Sequence, residues 1–295
     1  MTLGPCALLT TCNAHRDDRD DLLRLIDSVG AAVIAGEVGR LRHFVLIQQS
    51  GPEDFLALER VVPDWVELIS SEIALSSSKA RNMLIAHYLR SDAFDPAAFV
   101  GFPDDDAWYP AGALACLTQH FGTPNGLQFL LARFGPEPSS KNCRSLQRMN
   151  LNRALSRGAC AAMFLRTSLL QRLGGFNEIL GLGSVLKGAE DTDLSIRAFY
   201  LAAGRSAYLP EYIVGHAAMP PAKKAEYFEA GLAVIMAHRH SSPAARVAVV
   251  RRLLVGVWHV LRGRLSWTGY FSAVRRSRAH AEDLRGALAD VQPRG

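Results

Sequence analysis

The chain is poor in several things that would have decided its class at once. It has five cysteines in 295 residues, an odd number with no C-x-x-C spacing. That argues against a disulfide framework or a cysteine zinc site and fits a reducing compartment, so the cytoplasm is the expected location. No uninterrupted apolar stretch approaches the roughly 20 residues that cross a bilayer. The N-terminal run Cys6–Cys12 is too short, and too lightly charged in front, for a signal peptide, and is expected to form a first buried strand. Asn13-Ala14-His15-Arg16, which follows it, is not a glycine-rich phosphate loop and so speaks against a nucleotidyltransferase. There is no internal repeat and no low-complexity segment. What is present is ordinary for a globular protein, 49% hydrophobic and 21% charged, and long enough for one large α/β domain with an appendage.

Acidic residues are scarce at the C-terminal end. Residues 245–295 hold ten Arg against Glu282, Asp283 and Asp290, a balance of +7. The formal net charge is +5, so the rest of the chain carries −2. The basic character belongs to this tail.

Strand and helix signals alternate through the first half. Cys6–Cys12, His43–Ile47, Trp65–Ile69 and Phe99–Phe102 read as buried strands. Helices are expected from Asp18 to Val29, Glu53 to Val61, Lys79 to Arg90 behind the caps Ser76-Ser77-Ser78, and Pro110 to His120. This pattern predicts an α/β, Rossmann-like fold, a mostly parallel sheet with helices on both faces, whose ligands bind beyond the carboxyl ends of the strands. Asn13, Gln49 and Asp104–Asp106 lie at such ends and are expected to share a crevice. Further on, Gly126–Phe134 and Gly158–Leu165 read as strands that pair, separated by a polar loop over Gly135–Arg157. Thr167–Leu173 reads as a short helix, Tyr212–Gly215 as a short strand, and the chain from Ala222 onward as helical. The expected division is one α/β domain over 1–241 followed by a basic amphipathic helical tail over 242–295.

Two acidic clusters carry the chemistry. Asp104-Asp105-Asp106 follows an apolar strand, and three adjacent carboxylates repel one another unless a cation sits nearby. Oxygen donors suit Mg²⁺ or Mn²⁺, which take one or two carboxylates together with substrate phosphates. Glu190-Asp191 opens a helix-like stretch after the glycine-rich, flexible-looking segment Gly181–Gly188, and places a carboxylate where it can accept a proton. A cation beside a separate base is what expulsion of a diphosphate and deprotonation of a hydroxyl require. Each cluster taken alone also reads as a solvated turn or as favourable helix N-terminal charge. Lys79, Arg81 and Asn82 at a helix start read equally as an anion site and as a solvated first turn. His216 alone reads as a structural histidine, and Asp193 as a structural ion pair. The tail, with Leu253, Leu254, Val257, Trp258, Leu261 and Leu265 among arginines, fits an anionic membrane face, packing on the catalytic domain, or a second subunit. Nucleic acid fits less well, because the catalytic half is not basic.

In order along the chain, these pieces resemble glycosyltransferase family 2, which has the GT-A fold. They are Leu8-Leu9-Thr10-Thr11-Cys12-Asn13, Ser78-Lys79-Ala80-Arg81-Asn82, Phe102-Pro103-Asp104-Asp105-Asp106-Ala107-Trp108-Tyr109-Pro110, Leu173-Gly174-Gly175-Phe176-Asn177-Glu178 and Gly188-Ala189-Glu190-Asp191-Thr192-Asp193-Leu194. The resemblance covers about residues 5–240 and implies a catalytic domain over 1–241, with a nucleotide-sugar half to about 110 and an acceptor half over about 111–241. It implies inverting transfer from a nucleoside diphosphate sugar to a hydroxyl of a glycan or lipid-linked acceptor. Asp191 would be the general base. Asp104, Asp106 and His216 would hold Mn²⁺ or Mg²⁺. Thr11, Asn13, Gln49, Arg81, Asp104, Asp105 and Glu190 would line the nucleotide-sugar site. Two departures stand out: the second strand ends in Gln48-Gln49-Ser50 where the family often has an Asp, so UDP is favoured only weakly over dTDP or GDP, and Asn177 replaces the Asp of G-G-F-D-E. A non-catalytic nucleotide-sugar-binding or scaffold protein of a polysaccharide assembly complex is the alternative. A homo-oligomer and peripheral contact with the inner membrane face are both compatible with the sequence.

Overall fold

The computed structural model describes residues 4–14, 19–123, 126–141, 143–217 and 226–291. The first half lays down β1 (Cys6–Asn13), α1 (Arg19–Ile34), β2 (Leu41–Gln48), α2 (Pro52–Glu59), β3 (Val66–Ser71), α3 (Ser77–Arg90) and β4 (Phe99–Gly101). β1 pairs in parallel with β2 and β4, and β2 with β3. Local chemistry starts α3 where the sequence signals it: the Ser76 side chain accepts from the Lys79 backbone N–H, a cap typically worth about 1 kcal/mol.

The second half comprises α4 (Ala113–Phe121), β5 (Phe129–Gly135), β6 (Gln147–Arg148), α5 (Leu151–Arg157), β7 (Met163–Arg166), α6 (Thr167–Leu173), α7 (Glu190–Leu201) and β8 (Ser206–Gly215). All eight strands join one sheet in the order β3-β2-β1-β4-β7-β5-β8-β6. Only β7 and β6 run against the others, so the sheet is mostly parallel. Successive strand residues bury opposite faces. Leu8 and Phe99 pack with Leu25 and Leu117 from α1 and α4. Leu9 and Val100 pack with Leu84, Leu169 and Leu194 from α3, α6 and α7. Helices therefore cover both faces.

Several local expectations change. The helix expected from Pro110 begins at Ala113, because Gly112 in the left-handed region makes the turn into it. The stretch 135–157 contains β6 and α5 rather than one loop. The strand expected from Gly126 starts at Phe129, and the one expected from Gly158 starts at Met163, after a 3₁₀ turn over Cys160–Ala162. The strand over Tyr212–Gly215 is the second half of β8, whose pairing with β5 shifts register between Leu131 and Arg133. That irregularity accommodates Pro210, since a proline supplies no ladder donor. The helical reading from Ala222 falls partly on 218–225, outside the described residues.

The tail is two helices, not one. α8 (Phe228–Ala237) is buried on almost every side. α9 (Pro243–Leu261) ends before Gly263 at φ +65°, and α10 (Trp267–Val291) returns along α8. Phe228 meets Tyr270 at 5.8 Å between ring centroids, over Gly256. Arg276 binds both oxygens of Glu229 at 2.8 and 2.6 Å. No helix among the described residues is long and apolar enough to cross a membrane.

Candidate active site

The carboxyl ends of β1, β2, β4 and β8, together with the start of β7, meet at one edge of the sheet. The loop after β4 is anchored there from below. Thr10 Oγ1 donates to the Pro103 carbonyl at 3.0 Å and bonds His43 Nε2 at 2.9 Å. Burial pulls the His43 pKa down to about 3, so this imidazole is neutral. A turn then closes from Ala107 N–H to the Asp104 carbonyl, and Arg24 of α1 donates to the Asp106 carbonyl at 2.7 Å while its guanidinium lies over Trp108. Trp108 and Gly215 exchange both backbone hydrogen bonds, at 3.1 and 2.7 Å. This bridge is what carries His216 to the acidic turn.

His216 Nε2 lies 3.4 Å from Asp104 Oδ2 and 3.2 Å from Asp106 Oδ1. Its hydrogen bond to Asp104 raises its pKa to about 9, against an opposing effect of burial. Burial pushes Asp104 up, but His216 and Arg81 outweigh it and hold that carboxyl below its usual value. Asp106 goes the other way, raised by burial and then by Asp104.

Arg81 is the other centre. It projects from α3, nearly buried, and donates to Asp104 Oδ1 at 3.1 Å and Glu190 Oε1 at 3.3 Å, with Asp191 Oδ1 at 3.6 Å. Glu190 also accepts from Ser77 Oγ at 3.2 Å, and burial together with Asp191 raises its pKa. Asp191 is the more exposed of the pair, at 30% against 11% for the Glu190 side chain. Its Oδ2 accepts from the Cys160 backbone N–H at 3.1 Å and its Oδ1 from the Cys160 thiol at 2.7 Å.

The glycine-rich segment before α7 is anchored at Gly181, Leu186 and Gly188, which are buried, while Leu182 and Val185 are exposed. Gly181 has φ +104°, and a Cβ there would stand 2.2 Å from Ser77 Oγ. The Ser77 N–H donates to the Leu182 carbonyl, so the segment seats the start of α7 against the start of α3. Ala189, at φ 66°, makes the last bend before Glu190. Asn82 is structural rather than anion-binding: it accepts from Phe176 N–H and donates to the Phe176 carbonyl and to Glu178. Asp193 is fully buried between Arg197 at 2.8 Å and His238 at 3.2 Å.

Among the sequence-predicted residues, Asp104, Asp106, His216, Arg81, Glu190 and Asp191 form one linked cluster. Asn13 Nδ2 donates to Gln49 Oε1 at 3.0 Å, joining the ends of β1 and β2, and Gln49 sits in the left-handed region at φ 58°. Thr11 lies on β1 opposite Leu46, and Asp105 is half-buried within the acidic turn. Cys160, Ser77 and Arg24 are the partners that sequence reasoning missed. The small-residue run Gly158-Ala159-Cys160-Ala161-Ala162, which permits close backbone approach, was the available signal for the first. A pocket of about 410 Å³ lined by Cys116, Gln119, Ser140 and Arg144 opens beside α4, and none of the cluster's carboxylates lines it.

Among the described residues no group of three or more His, Cys, Asp or Glu side chains could hold a metal ion by itself. Two carboxylates and one imidazole nevertheless are the donor chemistry that Mg²⁺ or Mn²⁺ accepts when substrate phosphates supply further ligands.

A mostly parallel sheet covered on both faces, with acidic residues and a late-strand histidine at its carboxyl edge, is the GT-A fold. Solved structures share it. S. aureus TarS 1–349 aligns over 99% of this chain and 93% of its own, with TM-score 0.57 and 16% identity. The same protein in complex with UDP-GlcNAc aligns over 79% of this chain and 67% of its own, with TM-score 0.55 and 17% identity. GalNAc-T7 with UDP, GalNAc and Mn²⁺ aligns over 79% of this chain but only 48% of its own, with TM-score 0.54 and 11% identity. At these identities the likeness is one of fold. No protein-family model matches the sequence, and no curated protein sequence matches it.

Proposed function

We infer that this protein is a glycosyltransferase of the family 2 type, moving a sugar from a nucleoside diphosphate sugar to a hydroxyl of a glycan or lipid-linked acceptor, with inversion. The observation that carries this reading is the convergence of the Asp104–Asp106–His216 group and the Arg81–Glu190–Asp191 group at the carboxyl edge of a GT-A sheet. UDP is the favoured nucleotide, since the neighbours in the fold comparison were solved with UDP or UDP-GlcNAc.

The acceptor oxygen attacks the anomeric carbon as the bond from that carbon to the diphosphate oxygen breaks. Asp191, more accessible than Glu190 and held by Cys160, takes the hydroxyl proton. Arg81 offers positive charge where negative charge grows on the leaving diphosphate. Glu190 is too enclosed to serve as the base and instead fixes Arg81 to Ser77. Asp104, Asp106 and His216 would hold a divalent cation, whose chemistry there is to neutralise the diphosphate.

A thermal-shift panel of nucleoside diphosphates and their sugars tests this, run with and without Mn²⁺ on the wild type and Asp106→Ala. Stabilisation by a uridine nucleotide that needs Mn²⁺ and is lost in the variant is the expected result. A folded protein that responds to no nucleotide would overturn the reading in favour of a scaffold.

A further inference from the structure

The tail divides its two faces between two tasks. One side of each helix is docked: Ala245, Gly256 and His259 of α9 and Tyr270, Ala273 and Ser277 of α10 are buried, largely against α8. The opposite side of α9 stays uncovered and is apolar. Val247, Val250, Leu254, Trp258 and Leu261 fall within about 80° of one another around a helix turning 3.6 residues per turn, and Leu254 and Leu261 are 63% and 74% exposed. Just past the Gly263 turn, Trp267 and Phe271 stack at 6.1 Å, both exposed. Exposed apolar residues scattered singly are unremarkable, but five on one helix face followed by two more after the turn, two of the seven being tryptophan, mark an interaction surface.

Its charge selects the partner. Arg262 and Arg264 lay their guanidiniums over Trp258, at 5.4 and 5.0 Å from the ring centroid. Between Glu229 and Glu282 the chain carries no Asp or Glu. Two copies meeting through this corner would bring like-charged arginines together with no carboxylate from the same segment to answer them. An anionic lipid surface answers both features: valine, leucine and aromatic side chains enter the boundary between headgroups and acyl chains, while arginine stems lie along it with their charges on the phosphates.

We propose that the α9–α10 corner, built from Leu254, Trp258, Leu261, Arg262, Arg264 and Phe271, docks the protein on an anionic bilayer. This surface lies outside the catalytic cluster and stands whether or not the transferase reading does. Co-sedimentation of the full chain with vesicles tests it, using phosphatidylcholine alone and phosphatidylcholine with about a third phosphatidylglycerol. The expected result is binding to the anionic vesicles only, weakening as salt is raised. Arg262→Gln with Arg264→Gln should weaken binding about thirtyfold, roughly fivefold for each arginine near the surface. Leu254→Ser with Leu261→Ser should weaken it at least about tenfold, and both pairs should melt like the wild type because the residues are exposed. Absence of binding by folded protein, or equal binding to both vesicles, would overturn the proposal. Concentration-dependent dimerisation without lipid, abolished by the same substitutions, would instead assign the corner to a second copy of the chain.

Discussion

Arg81 collects carboxylates from two distant stretches, Asp104 after β4 and Glu190 with Asp191 at the start of α7. Around it the acidic residues take on different characters. Glu190 is enclosed, whereas Asp191 is half-buried with both oxygens steadied by Cys160. Asp191→Asn should lower turnover roughly 10²–10⁴-fold, the usual worth of a positioned base, with donor binding unchanged by calorimetry; near-native turnover would remove Asp191 from the role. Cys160→Ala deletes the thiol donor but keeps the backbone N–H. It should cut kcat about fivefold, one hydrogen bond's worth, and leave KM for the donor alone, while Cys160→Ser restores kcat. His216 gives a pH signature. Its folded pKa of about 9 exceeds the free value of 6.5, so its contribution to stability is complete below 6.5 and is lost as pH climbs through 9. A cation must displace that proton. Mn²⁺ affinity measured by calorimetry should therefore rise by about tenfold per pH unit from neutrality toward pH 9, and a flat profile would exclude His216 as a ligand.

At the scale of elements, the acidic turn and the end of β8 are locked by the Trp108–Gly215 bridge. A Cβ on Gly215 would stand 2.1 Å from the Trp108 indole, so Gly215→Ala should destabilise the fold by about 1–3 kcal/mol in urea melts and weaken Mn²⁺ binding through displacement of His216. Apolar runs made β1 to β4 legible, and Ser76 marked the start of α3. Where side chains say little, the sequence was mute. β6 is two exposed polar residues at a sheet edge, the bulge around Pro210 hid the first half of β8, and the turn at Gly263 split what read as one helix. The site follows the same rule. Carboxylates, Arg81 and His216 announce chemistry by residue type, whereas Cys160, Ser77 and Arg24 matter through where the backbone carries them.

For the whole molecule, α8 is the seam between the sheet domain and the tail. It is apolar on nearly all sides, and α10 covers much of it. Removing residues 242–295 should bare Phe228, which packs on Tyr270 and over Gly256, and make the chain aggregate, read by sedimentation and by loss of a cooperative melt. A truncated chain that stays in solution with an unchanged melting temperature would show that the sheet domain is self-sufficient.

The Trp108–Gly215 bridge also fixes when the carboxylate–histidine cluster can exist during synthesis. A ribosome delivers β1 to β4 and Arg81 with Asp104 long before Asp191 and His216 emerge, and the parallel half needs neither of those later residues for its pairing. Chain grows at about 5–20 residues per second, so several seconds separate a nascent sheet from a complete centre. In that interval Asp106 has no histidine opposite it and Arg81 has one carboxylate rather than three. The growing protein can pair β1 to β4 early, but the cluster around Arg81 and Asp106 stays incomplete until β8 has docked.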